Sequence, residues 1–400
     1  MSRRVRDGAH RDRSPRGRAI VAFSIAAMAV GLTGIAVTMS PPAHVPAAVG
    51  AAAVSQPISG TPPDGAVASP TATSDRASAI AAPSRVPGAS LGSPASTVNA
   101  RFPGGLLIAD RGNGRLLVVT DAGHVVWTFP GPHGLPAGQR FSADDAFIAP
   151  DGRTIVANDE EHQVIDRIDI ATRRVTWQYG EYDRPGRSPG RLHTPDDAYP
   201  LANGDILVAD IRNCRILEIA PSKRIVRQWG RAGVCSDHPP RTFASPNGDT
   251  PLPDGGLLVT EISGSRVVRL RANGHVAFDV HLPVAYPSDA QLERDGSILV
   301  VDYSSPGAVL RLSPTGRVLW RYAPRKGTGA LDHPSLAIQL ADGTIALNDD
   351  FRHRVLVIDP RTNRIVWQYG RTDRPGRRPG FLNIPDGIDV LPAGTIPGLG

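Results

Sequence analysis

The chain has 400 residues, with 44 Lys+Arg against 38 Asp+Glu, a formal net charge of +6, 42 glycines, 38 prolines and two cysteines. Seven arginines against Asp7 and Asp12 put +5 of that charge into residues 1–18. The remainder is close to neutral, so the high isoelectric point gives no support to nucleic-acid binding.

After the basic tail, residues 19–39 (AIVAFSIAAMAVGLTGIAVTM) run without a charge for about the length that spans a bilayer. The arginines before them place the N-terminus in the cytoplasm and the rest outside. This predicts an N-terminal transmembrane helix acting as a single-pass signal anchor in the cell membrane. Cleavage near Ala47–Ala48, releasing a secreted chain, is the alternative. Residues 40–101 are mostly Ala, Pro, Ser and Gly and cannot form a core. They predict a disordered linker that lifts the folded part off the membrane.

From residue 102 onward one pattern repeats six times. Its b-strand copies are GGLLIAD (104–110), GRTIVAN (152–158), GDILVAD (204–210), GGLLVTE (255–261), GSILVVD (296–302) and GTIALND (343–349), with glycines 41 to 52 residues apart. That period belongs to four-stranded propeller blades. Asp-Gly or Asn-Gly pairs at 151–152, 203–204, 254–255, 295–296 and 342–343 join strand a to strand b. No long stretch keeps a 3.6-residue apolar period, so helix is nearly absent. The first copy lacks a strand a, and PDGIDVLP (385–392) is a strand a without a blade. Joined, they predict an all-β, six-bladed propeller over 102–394, closed by the C-terminal strand, with no open sheet edge.

Comparison of the copies separates scaffold from site. Asp110 and Arg115, Asp210 and Arg215, Glu261 and Arg266, and Asp349 and Arg354 recur five residues apart, which predicts carboxylate–guanidinium contacts across each b–c hairpin. Asn158 and Gln163 take the same spacing and predict an amide pair in blade two; after Asp302 the arginine is missing. Trp127, Trp177, Phe278, Trp320 and Trp367 share one position in strand d and predict packing between blades. Cys214 begins strand c of blade three and Cys235 follows strand d of the same blade. Antiparallel neighbours bring both to one end, so a disulfide is expected outside the cytoplasm.

NGRLL (113–117), NCRIL (213–217) and RHRVL (352–356) resemble the Asn-His-Arg core of NHL repeats. So does WQYG…PG…L…PD at 177–196, echoed at 367–386. IDIATRRVTW (168–177) and IDPRTNRIVW (358–367) resemble the tryptophan-docking motif of quinoprotein (PQQ-like) propellers, with Arg or Asn where that motif has Gly. The resemblance covers about 102–392 and implies a propeller. NHL-type propellers include binding scaffolds, metal-dependent lyases and hydrolases. The quinone enzymes usually have more blades and an adjacent-cysteine disulfide, so no quinone cofactor is expected. Bacterial arylsulfotransferases are also similar and use a histidine.

The d–a loops are long at 130–142, 180–194, 230–245, 323–333 and 370–384, and they share a face with the start of each strand a. Aligning Ala143, Pro195, Pro246, Pro287, Pro334 and Pro385 puts Asp144, Asp196, Asn247, Ser288, Ser335 and Asp386 at one position of the channel mouth. Asp144, Asp196, Asn247 and Asp386 suit a hard cation such as Ca²⁺; the alternative is that all six are turn residues starting their strands. Asp197, Asp249 and Asp289 flank this ring. His193 and His333 are candidate bases or nucleophiles. Arg184, Arg187, Arg374 and Arg377 on two matching loops could receive an anionic group. The expected function is a recognition module for a cell-envelope ligand, a glycan or protein. A metal-dependent lyase or hydrolase, or an arylsulfotransferase-like enzyme using a loop histidine, are the alternatives.

Overall fold

The computed structural model describes residues 100–398. The basic tail, the expected anchor and nearly all of the linker lie outside the described residues. Among the described residues no helix is long and apolar enough to cross a membrane.

Six small antiparallel sheets form the propeller, one for each copy of the repeat. Blade two is typical: strands Ala146–Ile148, Thr154–Asp159, Val164–Asp169 and Arg174–Gly180 run from the channel outward. The two inner strands are mostly covered, and the outermost strand alternates between exposed and partly covered positions. Blade four departs from this. Its sheet has three strands, Leu257–Glu261, Arg266–Leu270 and Val276–His281. Its innermost segment makes isolated bridges, Pro246 to Glu261 and Pro251 to Leu257, and is joined to the next strand by backbone hydrogen bonds such as Asn247 N to Thr260 O at 2.9 Å and Leu258 N to Thr250 O at 2.9 Å.

Ring closure is as expected. Pro385–Val390 pairs antiparallel with Leu106–Asp110 and supplies the inner strand of blade one. Ile388 and Leu391 are fully buried there. Four tryptophans each tie a blade to the next. The indole Nε1 of Trp127 donates to Ile170 O at 2.9 Å, Trp177 to Pro221 O at 2.8 Å, Trp320 to Asn363 Oδ1 at 2.9 Å and Trp367 to Asp121 O at 2.8 Å. Cys214 and Cys235 form the expected disulfide, with Cα atoms 5.2 Å apart.

The b–c corner explains the Asn-x-Arg pattern. In blades one, three and six a three-residue 3₁₀ turn ends at Gly114, Cys214 or His353, each left-handed with φ of 59°, 56° and 58°. The following arginine then meets the acid that ends strand b: Arg115 Nε to Asp110 Oδ2 at 2.6 Å, Arg215 to Asp210 at 2.7 Å and Arg354 to Asp349 at 2.7 Å. The same acids accept a backbone N–H from the incoming d–a loop, so each corner is clamped to its loop. These donors are Asn383, Ser142, His193, Ala244, Ala285 and Asp332, bonding Asp110, Asp159, Asp210, Glu261, Asp302 and Asp349.

That series corrects one expectation. In blade two the clamping acid is Asp159, and Asn158 sits one residue earlier. Gln163 donates to Glu160 O and Glu161 O, and its Oε1 accepts from Thr194 N, so no Asn158–Gln163 pair forms. The blade-two strand runs one residue beyond the repeat, because two candidate polar residues stand side by side and only the loop contact tells them apart.

Candidate channel-mouth site

The aligned residues that follow Ala143 and the five strand-a prolines, Asp144, Asp196, Asn247, Ser288, Ser335 and Asp386, are all buried. The structure also brings in residues beyond that ring. Strand a is bulged at this point: the register shifts between Asp196 and Tyr199, and between Pro287 and Ala290. In a regular strand consecutive side chains take opposite faces, and a bulge relaxes that alternation. Asp197 and Asp289 are therefore buried among the same acids as their preceding neighbours, and Asp145, just before its strand, is buried there too.

The column after the clamping acids also contributes to this space, through Arg111, Glu160, Tyr303 and Asp350. Sequence comparison could have found it, since this column varies between copies while its neighbour is constant. The one-residue slip in blade two hid Glu160.

Arg111 organises the mouth. Its Nη1 donates to Asp386 Oδ2 at 2.7 Å and to Asp144 Oδ1, and its Nη2 to Glu160 Oε2 at 3.0 Å. Asp386 is thus turned to a guanidinium. Asn247 is engaged elsewhere: Oδ1 accepts from the Tyr286 hydroxyl at 3.1 Å and Nδ2 donates to Ser288 O at 3.1 Å. Ser335 Oγ donates to Asp386 O and accepts from Asn348 Nδ2. Asp144, Asp145 and Asp196 converge most tightly, with one carboxylate oxygen of each within 4.8 Å of the others.

Nine acids, Asp144, Asp145, Glu160, Asp196, Asp197, Asp249, Asp289, Asp350 and Asp386, interact in this space, and Arg111 pairs with three of them, Asp144, Glu160 and Asp386. Burial raises the carboxyls of Asp144, Asp145, Asp197, Asp249 and Asp350 well above the ordinary range. Burial also pushes Glu160 up to about 7, against the pull of Arg111. Asp386 is the exception. Burial opposes its ionisation, but Arg111 and hydrogen bonding hold it below its usual value. Such a group can keep its protons or take up a cation.

His333 lies half-buried, its ring edge-on to Tyr303 and Phe351 with centroids 4.8 Å away in each case. Its Nδ1 is 2.6 Å from Asp332 Oδ1. Burial raises the Tyr303 hydroxyl well above its ordinary value, and the charges of Asp350, Asp386 and Asp144 add to that rise. His193 contributes its backbone, donating to Asp210 and accepting from Arg212. The loop arginines stay at the rim. Arg184 bonds Glu181, Arg377 bonds Asn113 O, and Arg187 packs beside Gly233. Neither Arg187 nor Arg374 hydrogen-bonds a channel carboxylate, and nor do the other two.

No protein-family model and no curated protein matches this sequence. Solved structures do resemble it in fold. A protein of unknown function from Bacteroides caccae superimposes with a TM-score of 0.53 at 18% identity, over 72% of this chain and 98% of that one. A streptogramin B lyase matches with a TM-score of 0.43 at 17% identity, over 58% and 70%. A catalytically inactive virginiamycin B lyase from Staphylococcus aureus with quinupristin gives 0.42 at 17%, over 58% and 71%. At 18% identity the first of these shows a likeness of fold alone.

Proposed function

We propose that this chain is a membrane-tethered, extracytoplasmic recognition propeller that takes a cell-envelope ligand, a glycan or protein, at the channel mouth through a bound hard cation. The cation would be held by Asp144, Asp145 and Asp196. The carrying observation is that these three buried carboxyls converge within 4.8 Å while Asp145 Oδ1 has no hydrogen-bond partner. An all-oxygen, all-carboxylate set favours Ca²⁺ or a similar ion over zinc or copper. A cation at this point would leave coordination positions facing the mouth, where hydroxyl or carboxylate oxygens of the ligand could complete the shell.

A second reading, a metal-dependent lyase or hydrolase, draws on the Asp332–His333 pair. A carboxylate on Nδ1 orients an imidazole so that Nε2 can act as a base, and Tyr303 packs edge-on against that ring. The fold is compatible with either.

Calcium titration of the chelator-treated protein tests the first reading. Binding of Ca²⁺ should raise the melting temperature, and Asp144→Asn should weaken that rise at least tenfold in calcium concentration. A protein whose melting ignores calcium and chelator alike would end this reading. Calcium-dependent turnover lost on His333→Ala would move the conclusion to the second.

A further inference from the structure

A cavity of about 360 Å³ is lined by the 323–333 loop and by the b–c corners of blades five and six. The blade-five corner supplies Ser305 and Pro306, the blade-six corner Arg352, and the loop Arg325, Lys326 and Asp332. The loop is fixed to both corners. Arg352 Nη1 donates to Gly327 O at 2.8 Å and to Ala330 O at 2.6 Å, while Gly307 N donates to Leu331 O at 2.9 Å. The lining is therefore preformed, and a ligand need not order it on binding.

Its charge is uneven. Arg325, Lys326 and Arg352 line it together with two carboxyls, Asp332 and Asp373. Both carboxyls are engaged, Asp332 with His333 Nδ1 at 2.6 Å and Asp373 with Arg352 Nε at 2.9 Å. Arg325 and Lys326 are exposed and form no ion pair among the described residues. Two cations are left over where a ligand can reach them.

We propose that this cavity receives an acidic sugar residue, its carboxylate or sulfate group meeting Arg325 and Lys326 and a hydroxyl meeting Ser305. Adjacent cations on a fixed loop suit an oxyanion, and the guanidinium offers paired donors to its oxygens. The volume is more than an inorganic ion fills and falls in the range of small-molecule sites. No lining residue is aromatic, so a nucleobase would find no stacking surface. The choice of a sugar rests on the recognition reading above. The anion-binding residues do not, since none of Asp144, Asp145 and Asp196 lines the cavity.

Calorimetric titration of the full chain in detergent tests it, with hexasaccharides of hyaluronan (carboxylate only) and heparin (sulfate and carboxylate), neutral maltohexaose and an oligothymidylate. A charged hexasaccharide should bind and maltohexaose should not. Arg325→Gln and Lys326→Gln should each weaken binding about tenfold, the loss of one charge-assisted contact. Arg317→Gln, at the exposed c–d turn of blade five, should leave it unchanged. Hyaluronan binding assigns a carboxylate, and binding of heparin alone assigns a sulfate. Binding that persists in chelator and in Asp144→Asn upholds the cavity even where the mouth reading fails. Binding lost in chelator but indifferent to Arg325 and Lys326 assigns the ligand to the mouth and overturns the cavity. Equal binding of maltohexaose, tighter binding of oligothymidylate, or no binding of either charged sugar also overturns it.

Discussion

Arg111 and Asp386 stand 275 residues apart in sequence and join at 2.7 Å, Nη1 to Oδ2, across the seam where the ring closes. Asp386 lies on the closing strand and Arg111 on the corner after the first strand of the same blade. The guanidinium also reaches Asp144 of blade two, so a single side chain ties the seam to its neighbour. Arg111→Ala should leave two buried carboxylates unpaired and cost about 3 kcal/mol. The loss should shrink when Ca²⁺ is added, and denaturant melts with and without calcium would show it. A loss independent of calcium would mean that Arg111 and the cation do not share the same acids.

Ending the chain at Gly380 removes the closing strand. Leu382, Ile388 and Leu391 are all fully buried in the intact ring, and each contributes about 2 kcal/mol of apolar burial. The truncated chain should lose its single cooperative thermal transition. An unchanged melting temperature would contradict closure at this strand.

Arg354 is a fully buried arginine in the propeller. It pairs with Asp349 at 2.7 Å and donates to Thr328 O and Ala330 O, at 2.8 and 2.9 Å, which pins the 323–333 loop beside His333. Arg354→Ala should cost about 4 kcal/mol, because Asp349 is left as an uncompensated buried charge. Arg115→Ala, where the guanidinium is partly exposed, should cost less. Equal losses in urea melts would show that burial does not set the difference.

Burial pushes Asp166 up to about 7, despite a hydrogen bond from Gln178 at 2.8 Å. The folded protein then holds this proton more tightly than the unfolded chain does. Stability therefore falls as pH rises from about 4 through about 7, and the loss is complete above that. Asp166→Asn keeps the acceptor for Gln178 and removes the ionisation. It should stabilise the protein on the order of 2 kcal/mol at pH 8 and leave pH 4 unchanged. Matching wild-type and variant melts at pH 8 would show that Asp166 ionises freely in the fold.

Reducing Cys214–Cys235 opens a cross-link with a sequence separation of 21 residues. In the chain-entropy view this costs about 3 kcal/mol. The denatured, unreduced protein should resist alkylation at both positions, and its melting temperature should drop on reduction. Two alkylated thiols in the intact mass would contradict the bridge.

Blade number, strand order within a blade, the closing strand, the disulfide and the tryptophan contacts were all legible from residue order. Each rests on a local pattern, and six internal copies repeat that pattern often enough to average out its ambiguity. The strand-b acids were legible as scaffold for the same reason, except in blade two. There Asn158 and Asp159 are adjacent, and only the contact to Ser142 decides between them. The mouth was half legible. Aligning the strand-a starts found Asp144, Asp196 and Asp386 but could not show that Arg111 occupies one side, or that Asp145 completes the tightest group. Those facts depend on side chains from different segments meeting across the seam and between blades, as Arg111 does with Asp144, Glu160 and Asp386. Such contacts leave no trace in spacing along the chain, because the distances that matter run around the ring.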